Sequence, residues 1–165
     1  MSLVEPYRTI ERCLVAIVRK FPQHPTAFPE IVGTGFFASE HGVVCTCNHV
    51  VGACLAFPRP EGFTGIPADV LLFREVLIGN RHVWGWFVLE ILATGEATFE
   101  GGRPGFVAHD EKPDAAFVLL NATVTPSVQF STERCLQGEA AAFAGFPMGT
   151  ALLSVGSQNL GTPFD

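Results

Sequence analysis

Two side chains carry most of the chemistry this sequence can offer: His49 and Asp114, 65 residues apart in the chain. His49 stands in Thr46-Cys47-Asn48-His49-Val50-Val51, directly after the β-branched and apolar run Val43-Val44-Cys45-Thr46. An imidazole placed where a buried strand ends is held by rigid backbone yet can face a cleft, as a general base requires. Such a base needs a carboxylate that fixes its tautomer and stabilises the imidazolium. The candidates are Asp110, Glu111 and Asp114. Asp110 and Glu111 lie in His109-Asp110-Glu111-Lys112-Pro113, which reads as a solvated loop. Asp114 directly precedes the buried run Ala115-Ala116-Phe117-Val118-Leu119-Leu120, so a strand anchors it and can shield it from water. Asp114 is therefore the expected orienter and His49 the expected base.

A base of this kind activates a hydroxyl or thiol, and the nucleophile is where the pattern stops. Ser157 follows Gly156 but is followed by Gln158-Asn159, and Ser127, Ser131 and Ser154 lack the glycine-rich surroundings of an oxyanion hole. His24, His41, His82 and His109 read as structural or solvent-facing histidines. The five cysteines are Cys13, Cys45, Cys47, Cys54 and Cys135, an odd count that favours free thiols in a reducing compartment. Cys45, Cys47, His49 and Cys54 invite a zinc reading, but C-x-C-x-H-x4-C is not a standard zinc spacing. Period 2 puts Cys45 and Cys47 on one strand face, as small buried hydrophobes. No metal and no cofactor is expected.

The elements that position these residues are strands. Leu14-Val15-Ala16-Ile17-Val18 reads as a buried strand after a short helix or irregular lead-in. Pro22, Pro25 and Pro29 mark a loop. Gly33-Thr34-Gly35 leads into Phe36-Phe37-Ala38, Ser39-Glu40-His41-Gly42 forms a hairpin connection, and Val43 to Thr46 returns. His49 to Cys54 reads as one short helical turn, loosened by Gly52. Val70 to Phe73 and Val83 to Leu92 are further strands, with a turn at Gly79 to His82 between them. Trp84, Trp86 and the Phe36/Phe37 pair read as barrel packing. Ala115 to Leu120 is a strand, Asn121 to Glu133 a polar connector, and Ala140 to Ala144 and Leu152 to Gly161 two more strands.

Gly33-Thr34-Gly35-Phe36-Phe37 with Thr46-Cys47-Asn48-His49-Val50-Val51 resembles the trypsin-like serine peptidases, in particular their HtrA-like bacterial branch, where G-[ST]-G-F-F precedes T-x-x-H-V-V. Asp114-Ala115-Ala116-Phe117-Val118-Leu119-Leu120 is similar to the family's D-[IVL]-A-[LV]-L-[KR]-L segment, and Gly145-Phe146-Pro147-Met148-Gly149 to its G-[YFN]-P-x-G turn. The likeness runs from about Cys13 to Gly161. It implies an all-β, chymotrypsin-like fold. A complete first β-barrel with a short lead-in would occupy 1–125, and a connector and truncated second barrel 126–165. It also implies a serine endopeptidase with His49 as base and Asp114 as orienter. The family's G-[DN]-S-G-G nucleophile motif does not occur in the 165 residues and is expected beyond Asp165. The alternative expectation is a non-catalytic trypsin-like module that binds peptides or a protein partner.

Composition sets the outer bounds. A hydrophobic fraction of 48% with 16% charged residues favours a well-buried core, and Gly 17 with Pro 12 fits a turn-rich all-β chain. The formal net charge of -6, without a run of Lys or Arg, argues against nucleic acid as partner. No apolar run approaches the roughly 18 residues of a membrane span. No signal peptide is visible, and free thiols favour a cytoplasmic setting. A polypeptide substrate or peptide ligand is the expected partner. Open strand edges of an unfinished barrel are the expected route to a homo-oligomer.

Overall fold

The computed structural model describes residues 10–21, 29–96, 114–123, 127–128 and 144–145. A helical turn at 10–13 leads into six strands: β1 (Leu14–Arg19), β2 (Ile31–Phe37), β3 (Val43–Thr46), β4 (Ala68–Ile78), β5 (Arg81–Glu96) and β6 (Ala116–Leu120). The helix α1 (Asn48–Leu55) follows β3. All pairings are antiparallel, and the sheet closes on itself in the order β1-β2-β3-β6-β5-β4. Each described strand therefore has a neighbour on both sides, and closure removes the exposed edge that an open sheet would present. The expected open edges belong to the second barrel; only 127–128 and 144–145 of that region are among the described residues. No helix among the described residues is long and apolar enough to cross a membrane.

Strand periodicity fills the ring. In β6, Ala116, Val118 and Leu120 are buried, whereas Phe117 and Leu119 face outward. They join Val15, Ile17, Phe37 and Val44 in the interior cluster. Complete burial of a side chain such as Phe37 contributes about 1.5–3 kcal/mol. Phe36 alternates to the other face and is half-buried, so only one member of the Phe36/Phe37 pair belongs to the core. The opposite faces of β1, β2 and β4 carry a second cluster, Ala16, Val18, Ile31 and Leu71.

The β2–β3 hairpin turns at Gly42, which adopts φ 76°, a left-handed conformation that L side chains rarely take. Its carbonyl accepts the N–H of Leu120 at 2.9 Å. A Cβ at Gly42 would lie 2.4 Å from the Ala122 carbonyl oxygen. The turn is thus pinned against the end of β6, and glycine alone permits that approach.

The β4–β5 hairpin corrects the sequence expectation. It is far longer than Val70 to Phe73 and Val83 to Leu92, with ten cross-strand pairs from Asp69↔Glu90 to Ile78↔Arg81. Pairing between β1 and β4 stops at Leu72, so Phe73 onward projects as a two-stranded ribbon with Gly79-Asn80 at its tip. Trp84 and Trp86 lie opposite Glu75 and Phe73 on this ribbon and are 63% and 49% exposed, not packed into the barrel. β-branched and aromatic residues announce a strand. They do not announce where the neighbouring strand ends.

Candidate active site

The site begins where β3 ends. The Thr46 hydroxyl donates to the Thr34 carbonyl at 2.8 Å, fastening the end of β3 to β2. The chain then turns at Cys47 (φ -85°, ψ 146°), which caps α1 in extended conformation. Cys47 is thus not a strand residue sharing a face with Cys45, as period 2 suggested, because β3 stops at Thr46. The helix runs Asn48–Leu55, longer than the single turn expected, and exposed Gly52 does not interrupt it. Val50, Val51 and Cys54 form its buried face, the spacing of an amphipathic helix. Val50 rests on Gly33: a Cβ there would lie 2.6 Å from both Val50 methyl carbons. The first glycine of Gly33-Thr34-Gly35 is therefore what lets the histidine-bearing helix press onto β2.

Asp114 arrives through strand register. β3 and β6 pair as Val43↔Leu119, Val44↔Val118, Cys45↔Phe117 and Thr46↔Ala116. Continued along both chains, that register sets residue 48 opposite residue 114, so a segment remote in sequence lands beside the start of α1. The Asp114 carboxylate then holds His49 at two points. Oδ1 accepts the backbone N–H of His49 at 3.0 Å, and Oδ2 lies 2.6 Å from Nδ1 of the ring.

This arrangement serves the helix and the imidazole together. The first turn of an α-helix has free N–H groups, and Cys47 provides no side-chain cap for them. Asp114 takes that role from the segment just before β6. The backbone N–H of His49, then its ring, hold the Asp114 carboxyl below the usual carboxylate range; the Asn48 N–H adds to this. An ionised carboxylate only accepts, so Nδ1 carries a proton toward Asp114, and in the neutral ring Nε2 is the acceptor. That is the tautomer a general base needs. The pair is open to water: the His49 side chain is 70% exposed and that of Asp114 56%. The expectation of a shielded carboxylate is thus corrected: Asp114 stands two residues before β6 begins, and the burial of Ala116, Val118 and Leu120 does not extend to it.

Cys47 is the partner that sequence reasoning missed. Its thiol lies within 4.8 Å of the Asp114 carboxylate and is pushed up, first by burial and then by the Asp114 charge. Of the imagined Cys45/Cys47/His49/Cys54 quartet, Cys54 points into the core, where burial pushes its thiol up to about 11. The thiols of Cys13 and Cys45 are also raised by burial. His82 pairs with Glu75 at 3.3 Å on the exposed hairpin, and His41 is exposed at the β2–β3 turn. Asp110, Glu111, Ser131, Ser154, Ser157, His24, His109 and Cys135 lie outside the described residues. Ser127 is half-buried beside Val128, whose N–H donates to the Phe37 carbonyl at 2.8 Å.

No protein-family model and no curated protein sequence matches the chain.

Proposed function

We propose that this chain carries the base and the orienter of a chymotrypsin-like serine endopeptidase, His49 and Asp114. The observation that carries the reading is the double contact of Asp114 with His49, 3.0 Å to the backbone N–H and 2.6 Å to Nδ1, between the end of β3 and the start of β6. In the reaction, Nε2 of His49 takes the proton of a serine hydroxyl as its oxygen attacks a peptide carbonyl. The imidazolium then gives that proton to the leaving amine, and Asp114 stabilises the charge while it lasts. The serine and the oxyanion hole would come from a second barrel, for which Gly145-Phe146-Pro147-Met148-Gly149 is the sequence support. No cofactor enters this chemistry.

The experiment is to read the native coding frame past Asp165 and treat the encoded protein with a fluorophosphonate probe, which phosphonylates an activated serine. Labelling at a Gly-Asp/Asn-Ser-Gly-Gly serine, lost in His49→Ala, supports the peptidase. Labelling that is unchanged in His49→Ala sinks it. The rival reading is a trypsin-like module that binds peptides without cleaving them. No labelling, together with no casein hydrolysis, would decide for it.

A further inference from the structure

The two residues of the dyad have a third ligand-type neighbour. Sγ of Cys47, a ring nitrogen of His49 and a carboxylate oxygen of Asp114 all lie within 4.8 Å of one another. We propose that Cys47, His49 and Asp114 form a Zn2+ site with an open fourth position, and that the metal competes with the base function of His49. The site itself needs no nucleophile; only its inhibitory consequence rests on the peptidase reading.

Donor chemistry selects the ion. One thiolate, one imidazole and one carboxylate are the sulfur, nitrogen and oxygen ligands that Zn2+ accepts, and three protein ligands plus water is the pattern of an open zinc site. Mg2+ and Ca2+ require six or more oxygens, and this cluster provides a single carboxylate. A thiolate and a carboxylate also neutralise a divalent charge. Bonds of about 2.0–2.3 Å in tetrahedral geometry set ligand atoms roughly 3.3–3.8 Å apart. The contact of 2.6 Å between Nδ1 and Oδ2 must therefore widen, while the other separations, all within 4.8 Å, settle into that range. The exposure of both side chains leaves room for those rotations.

The proton balance links the metal to the base. Zn2+ displaces the S–H proton of Cys47 to solvent. Binding at Nδ1, the nitrogen that faces Asp114, requires that nitrogen to give up its proton, and the neutral ring then carries it on Nε2. Nε2 changes from acceptor to donor. A zinc-bound His49 cannot take a serine proton.

The test is titration of the reduced full-length chain with ZnCl2 against a chromophoric chelator. Cys47→Ser and Asp114→Asn should each weaken binding by more than about tenfold, the loss that even an outer partner of a metal ligand can cause. Cys45→Ser should not. Cys47→Ser binding as tightly as the wild type overturns the site. A measurement without variants guards against misfolding: in the wild type, ZnCl2 but not MgCl2 should slow alkylation of Cys47, read by peptide mapping, at least tenfold; an unchanged rate also overturns it. Serine labelling insensitive to saturating zinc would sink the competition with the base and leave the peptidase. Zinc binding in a protein with no labelled serine would do the reverse.

Discussion

The Asp114 carboxylate grips His49 twice, through the backbone N–H at 3.0 Å and through Nδ1 at 2.6 Å, so one side chain both starts the helix and orients its imidazole. Because Asp114 stands just outside β6, the grip depends on the β3–β6 register. A slip of one residue would reverse the faces of β6 and carry Asp114 away from the start of α1.

Replacing Asp114 by Asn removes the ionised acceptor. In 15N-labelled protein, the wild-type His49 ring should carry its proton on Nδ1; Asp114→Asn should move the equilibrium toward the Nε2–H form. An unaltered tautomer ratio would contradict the assigned contact. The pH sign follows from the lowered Asp114 pKa. The stability it contributes is fully present above the unfolded value of roughly 3.9 and is lost as pH falls through the depressed folded value. The acid limb of a stability–pH curve should therefore flatten in Asp114→Asn.

Gly33→Ala should destabilise the fold by about 1–3 kcal/mol, the usual cost of overpacking, because its Cβ would meet Val50 at 2.6 Å. The paired variant Gly33→Ala/Val50→Ala should show a favourable coupling of at least 0.5 kcal/mol in a double-mutant cycle, on the order expected for residues in contact. Urea midpoints at constant m-value would measure both. Additive losses would mean that the helix does not seat on Gly33.

Thr46→Val keeps the shape of a buried side chain and deletes its bond to the Thr34 carbonyl. The expected loss is about 1–2 kcal/mol. Chemical denaturation reads it, and a neutral substitution would show that the bond does not fasten β3 to β2.

Cys54, pushed up to about 11 by burial, should resist alkylation in the native protein at pH 8. Since its folded pKa is raised, its stability contribution is whole below the unfolded value of 9 and falls as pH climbs toward 11. Cys54→Ala should remove that part of the alkaline loss. A Cys54 as reactive as a free thiol would refute the burial.

Both tryptophans stand on the projecting ribbon. Native emission should be red-shifted and readily quenched by acrylamide, and Trp84→Ser should change stability by no more than about 0.5 kcal/mol. Emission that is blue-shifted and protected from quencher would mean that something covers the hairpin.

Local patterns in the sequence determined the β1 and β6 segments, the β2–β3 hairpin and a helix at His49, and they named Asp114, which contacts that helix. These were legible because strand alternation, turn glycines and β-branched runs act over a few residues. Tertiary structure decided what depends on the spatial partner. Cys47 joins Asp114 because β3 stops at Thr46 and antiparallel register delivers residue 114 to the same point. Trp84 and Trp86 face water because β1 ends its pairing at Leu72 while β4 and β5 continue. Where one strand stops beside another is fixed by the closure of the whole ring, and no window of neighbouring residues contains it.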